Sequence, residues 1–188
     1  PQLPTVLPSA LTNLDEKLWP VRWLDQSPTN ALPTGQTRSF EVTLPPEAGD
    51  SDLRFTLLWT DLPGNPAASV MLVNDLDLTV SQGEQALYIG NSIPTDSDYT
   101  PALGTNAVPV FDRVNNVENV FIRRPVGTNY TIRVNAHRVN VNAVTAHTND
   151  IVQDFVLLTS TTPQPTLFPL KPLTDFLTVT NLPTPMTN

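Results

Sequence analysis

The sequence predicts an all-β protein: an antiparallel β-sandwich of jelly-roll or Greek-key type with seven to eight strands. Two observations lead there. Short runs alternate apolar and polar residues with a period of two, and Pro, Gly and Asn sit between the runs. The 188 residues include 20 prolines, about twice the usual share of ~5%, so long helices have little room. Strand after strand without an intervening helical pattern implies two packed antiparallel sheets.

The elements follow in order. Residues 1–36 are Pro-rich and read as a junction or lead-in, with a short helix over Thr12–Trp19 ended by Pro20. The sandwich spans residues 37–160. Its first strand is Arg38–Leu44, with Phe40, Val42 and Leu44 on one face. Leu53–Thr60 puts Leu53, Phe55, Leu57 and Trp59 on one face. Met71–Val80 aligns Leu72, Asn74, Leu76, Leu78 and Val80, and a short strand follows in "ALYIG". Val117–Arg123, Asn129–Val139 and Val152–Ser160 complete the set, with turns at "DLPGNP" and "PVGTN". The common phase predicts a core of Leu57, Trp59, Leu76, Leu78, Val120, Ile132, Val134, Phe155 and Leu157. The stretch 91–116 has no regular period and reads as a long surface loop. Residues 161–188 are rich in Pro and Thr, a tail or linker with Phe176–Thr180 as an extra edge strand.

Composition narrows the function. Eighteen acidic against ten basic residues give a net charge of -8. Phosphate binding needs clustered Lys and Arg, so nucleic acid is not an expected partner. No apolar run approaches the ~20 residues of a membrane span. The absence of cysteine rules out disulfides, thiolate metal sites and cysteine nucleophiles. The two histidines lie in a strand (His137) and in a polar loop (His147), and no G-x-S-x-G or H-E-x-x-H motif accompanies them. No catalytic residue is assigned, and the chain is expected to lack a catalytic triad.

Three stretches stand out in sequence order: "LRFTLLWTDLPG", "LVNDLDLTV" with "YIGN", and "DRVNNVENVFI" before "PVGTNYTIRVNA". Together they resemble the C-terminal β-sandwich accessory domain that follows the catalytic domain in secreted subtilisin-like serine proteases, the peptidase S8 family. The resemblance covers about Arg38–Ser160. It departs from the commonest spacing by one extra residue between Gly127 and Tyr130. It implies a secreted or cell-surface protein whose catalytic domain precedes this chain. It also implies a non-catalytic role here, stabilising the protease or assisting presentation of a protein substrate. A carbohydrate-binding or cell-surface adhesion module is the alternative, because fold does not separate these functions. Tyr88 and Tyr99 are the candidate platforms for a glycan.

The polar residues inside these motifs pose the sharpest question. Asn74 shares the face of Leu72 and Leu76, so it should be buried and hydrogen-bonded. Asn115 and Asn119 are expected to join it in a structural polar cluster, near Asn116 and Glu118. Asp75 and Asp77 point the other way, about 7 Å apart, and need a cation, an arginine or solvent. One reading closes them with Arg113. The other gathers Asp75, Asp77, Asp112, Asn116 and Glu118 around calcium, which accepts such oxygen ligands. Proteases of the resembled group often carry calcium, so it is the candidate cofactor.

Overall fold

A computed structural model describes residues 21–44, 52–144, 146 and 149–161. Among the described residues there are eight strands: β1 Val21–Leu24, β2 Thr37–Thr43, β3 Leu53–Leu58, β4 Asp75–Gln82, β5 Ala86–Ile89, β6 Val117–Ile122, β7 Asn129–Arg138 and β8 Val156–Thr161. They form two four-stranded sheets, ordered β1-β8-β3-β6 and β2-β7-β4-β5.

The topology is that of one long hairpin rolled up. β1 pairs with β8, β2 with β7, β3 with β6 and β4 with β5, all antiparallel. Two further pairings, β3 with β8 and β4 with β7, close the roll into two sheets. This is the jelly-roll arrangement.

The alternation read from sequence is what the strands bury. β3 alternates buried and half-buried residues along its whole length, and β7 buries every second residue from Tyr130 to Ala136. All nine expected core residues are buried, Trp59 among them at 1% exposed. They join Phe40, Phe55, Leu53 and Tyr130 between the sheets, where Phe40 meets Phe155 edge-to-face at 6.2 Å. Burial of this apolar area supplies the main stabilisation of the fold, about 1.5–3 kcal/mol for each large side chain.

The edges depart from expectation at informative places. Part of the segment expected to be a lead-in belongs to the sandwich: β1 is an edge strand, and Leu32 is buried in a backbone bridge with Gln153. A strand of four residues gives too short an alternation to stand out beside Pro20. β4 begins at Asp75 rather than Met71, and β8 at Val156 rather than Val152. The residues just before both strands are drawn off into side-chain clamps. The helix expected over Thr12–Trp19, the edge strand over Phe176–Thr180 and His147 lie outside the described residues. Residues 90–116 form an extended connection with no strand or helix.

Candidate functional site: three polar clamps around β4

The motif residues assemble three clamps. The first closes the β3–β4 loop. The Asp61 carboxylate accepts the backbone N–H groups of Val73 and Asn74, each at 2.8 Å. The Trp59 indole N–H donates to the Asn74 carbonyl at 2.9 Å. The Trp-Thr-Asp motif therefore exists to hold the Asn-Asp-Leu-Asp motif. Asn74 then ties this loop to the β7–β8 connection. Its amide nitrogen donates to the Val141 carbonyl and to Gln153 Oε1, both at 2.8 Å. Its amide oxygen accepts from Asn140 and Val141 N–H at 2.9 and 3.1 Å. Gln153 passes its own amide protons to the carbonyls of Thr60 and Asp154. Asn74 and Gln153 are fully buried, and a network satisfied at every atom avoids the penalty for desolvated amides.

Asn74 is buried as its phase requires, but its partners correct the expectation. Asn115 and Asn119 do not join it. Asn115 bonds to Asp112 at 2.6 Å, and Asn119 accepts from Thr56 at 2.8 Å. The reason is topological: the β7–β8 connection, not the start of β6, passes over the head of β4.

The second clamp lies on the outer side of β4. Asp75 and Asp77 are 0% and 3% exposed although they point away from the core. A bulge between Asp75 and Leu76 shifts the pairing with β7, so Asp75 faces Arg138 and Asp77 faces Asn135. The 90–116 connection folds over this face. It delivers Arg113, whose guanidinium lies 3.3 Å from Asp75 Oδ2 and bonds directly to Asp77 Oδ1. The Phe111 ring backs the guanidinium at 5.2 Å. Burial pushes the Asp75 carboxyl up; Arg113 pulls against that rise and the neighbouring Asp77 charge adds to it.

The third clamp joins β5 to β6. Gly90 and Asn91 follow β5 directly. Glu118, on the core face of β6 and 1% exposed, accepts the Leu78 N–H at 2.6 Å. It replaces the strand partner that β4 loses where β5 turns away. Gly90 gives its own N–H to the Leu78 carbonyl at 2.9 Å, and a Cβ at residue 90 would collide with the Glu118 carboxyl. Asn91, in the left-handed region at φ 55, is the next link, a conformation Asn tolerates. Its side chain accepts Asn119 N–H at 2.9 Å and donates to Asp112 at 2.7 Å and the Val117 carbonyl at 2.8 Å. Burial pushes the Glu118 carboxyl up to about 8; the Leu78 hydrogen bond works against this, and the charges of Asp77, Asp112 and Asp75 add to it. At Asp112 burial acts upward too, but hydrogen bonds from Asn115, Asn91 and the Val114 and Asn115 backbone outweigh it and hold the carboxyl low.

The five expected calcium ligands do not converge. Asp75 and Asp77 already share a cation in Arg113. Asp112 caps its own turn, Asn116 donates to the Trp59 carbonyl at 2.9 Å, and Glu118 faces the core. Among the described residues no three His, Cys, Asp or Glu are grouped to hold a metal. His137 stands exposed on the outer face of β7.

Of the glycan platforms, Tyr88 is half-buried against the core. Tyr99 bonds to Asp52 at 2.6 Å, with the Arg123 guanidinium over its ring at 5.4 Å. Sequence reasoning missed Gln153 as a partner, though its phase with Phe155 and Leu157 marks it as buried.

No protein-family model matches the chain. The chain is 37% identical over 105 residues to the serine protease/ABC transporter B family protein tagA of Dictyostelium discoideum, covering 54% of this chain and 5% of that protein. It is 36% identical over 105 residues to tagD of the same organism, covering 52% of this chain and 6% of that protein. The chain thus spans only about a twentieth of the length of these relatives. Similarity to a part of proteins named as serine proteases links the chain to a protease-type protein.

Proposed function

We propose that this β-sandwich is a non-catalytic accessory domain of a secreted or cell-surface serine protease of the subtilisin-like class. Its role is to stabilise the catalytic domain or to help present a protein substrate. The observation that supports this reading is the use of the motif residues. The carboxylates and amides of "WTD", "VNDLD", "GN" and "NNVEN" bond mainly to backbone and to one another across the clamps. Such wiring serves a rigid scaffold, and rigid scaffolds suit a module that braces a neighbouring domain.

Two measurements test it. The isolated chain should not hydrolyse peptide or ester substrates. A protein carrying the upstream protease domain should lose heat stability when this domain is removed. Turnover by the purified chain that disappears with His137→Ala would overturn the non-catalytic role. An upstream sequence without Asp, His and Ser catalytic motifs would overturn the protease assignment. Binding on a glycan array that is lost with Tyr99→Ala would favour the carbohydrate module instead.

A further inference from the structure

The asparagines of the motifs spend their carboxamides inside the fold. Asn74, Asn91, Asn116 and Asn119 all hydrogen-bond in or beside the clamps. Asn129, the first residue of β7, differs: among the described residues no hydrogen bond involves its side chain. It is exposed, whereas Tyr130 beside it is 1% exposed and packs in the core. Residues i and i+2 of a strand share a face, so Thr131, half-buried, stands on the same outer side as Asn129. Across the ladder Asn129 pairs with Thr43 and Thr131 with Glu41, both exposed. The sequence here reads Asn-Tyr-Thr, and no other asparagine in the chain has Ser or Thr two residues on. Asn-x-Ser/Thr, with x other than Pro, is the acceptor pattern for N-linked glycans on the surface of secreted proteins.

We propose that Asn129 is a site of N-linked glycosylation and that Thr131 positions its carboxamide for the transfer. The site rests on the reading of this chain as secreted or cell-surface, because the transferase acts in the secretory pathway. The donor is an oligosaccharide carried on a polyprenyl diphosphate. Asn129 Nδ2 attacks the anomeric carbon of its first sugar. The N–C bond forms as the C–O bond to the diphosphate breaks. The bonding electron pair leaves with the diphosphate, and Nδ2 gives up one proton. In the still-unpaired chain the Thr131 hydroxyl orients the carboxamide by hydrogen bonding. The folded domain then accommodates the product. A glycan is bulky and hydrophilic, and at Asn129 it displaces no packed group and breaks no clamp. The buried Tyr130 anchors the strand, so the sugars project over the outer face of β2 and β7, where Glu41, Thr43 and Arg133 are exposed. A glycan on Asn74 or Asn119 would instead consume a carboxamide that the fold uses.

The 188-residue chain, sent through the secretory pathway of a eukaryotic cell behind a cleavable leader, tests this. It should migrate as a heavier species than the bare polypeptide, and a peptide-N-glycan amidase should return it to the lighter mass. The tryptic peptide ending at Arg133 should then carry Asp in place of Asn129. Asn129→Gln and Thr131→Ala should each abolish the mass shift. Thr131→Ser keeps a hydroxyl and should retain it. Transfer acts on the local segment, so a variant that folds poorly still reports in the cell extract. Leader-cleaved chain with Asn129 unmodified, or a shift that persists in Asn129→Gln, would overturn the site while leaving the secretion reading intact. Parent protein confined to the cytoplasm of its own cells would overturn that reading, and the site with it.

Discussion

The two sides of the first turn of β4 solve the same problem by different chemistry. On the loop side, the Asn74 side-chain amide is buried with neutral partners only: Gln153, Asn140 and Val141. On the outer side, Asp75 and Asp77 are equally buried and depend on one arginine that is itself 32% exposed at the side chain. Neutral amides can satisfy every donor and acceptor without a charge to desolvate. Buried carboxylates cannot, so they recruit a cation from a distant loop. The difference predicts that the amide network is insensitive to pH and salt, while the charged side depends on both.

The largest expected effect breaks the amide side. Asn74→Ala strands Gln153 Oε1 and two backbone N–H groups, each costing about 1–3 kcal/mol when buried without a partner. A loss of about 3–5 kcal/mol in urea unfolding is expected, unchanged from pH 5 to pH 8. A loss below about 1 kcal/mol would mean that water enters and replaces the amide.

On the charged side, Arg113→Met leaves two carboxylates without their cation. Because the guanidinium is a third exposed, the cost is discounted to about 2 kcal/mol at neutral pH. The sign with pH is definite. Asp75 already binds its proton more tightly in the folded state, so stability from that preference is present at low pH and lost as pH rises through its folded pKa. Removing Arg113 raises that carboxyl further, so the deficit should shrink on acidification. A deficit that stays constant with pH would show that Arg113 contributes packing against Phe111 rather than charge.

Glu118 sharpens the comparison further. Its carboxyl titrates near 8 in the folded protein against an ordinary 4.5. The folded state therefore holds the proton, and the stability this gives is full below pH 4.5 and lost as pH rises through about 8. Glu118→Gln keeps an acceptor for Leu78 and removes the ionisation. Its melting temperature should fall less steeply across that window than the parent's, and parallel curves would contradict the assignment. Calcium in excess should leave the parent's melting temperature unchanged. A rise equivalent to about 2.7 kcal/mol, as for a site at a hundred times its dissociation constant, would restore the metal reading. The smallest effect is at the exposed Asn115: Asn115→Ala should cost about 0.5–1 kcal/mol, since Asp112 keeps Asn91 and the Val114 backbone.

Much of the fold was legible because strand burial is local. Residues i and i+2 share a face whatever their partners, so Leu57 with Trp59 and Ile132 with Val134 declare the core directly. The burial of Asn74 followed from the same phase. Its partners did not, because Asn140, Val141 and Gln153 lie more than sixty residues away and no local pattern encodes which loop crosses which strand end. Asp75 and Asp77 were harder still. Their outward phase reads as a need for a cation, an arginine such as Arg113 or solvent, and the return of the 90–116 connection buries them under Arg113.

The sequence by itself determined the strands, the core face and the need for partners at Asn74, Asp75 and Asp77. Those properties depend on residues two apart and on the cost of dehydrating amides and carboxylates. Only the tertiary structure decided that Gln153 meets Asn74, that Arg113 closes over both Asp75 and Asp77, and that Gly90 makes room for Glu118. Each of these contacts joins segments brought together by rolling the hairpin, and their geometry exists only once the two sheets have closed.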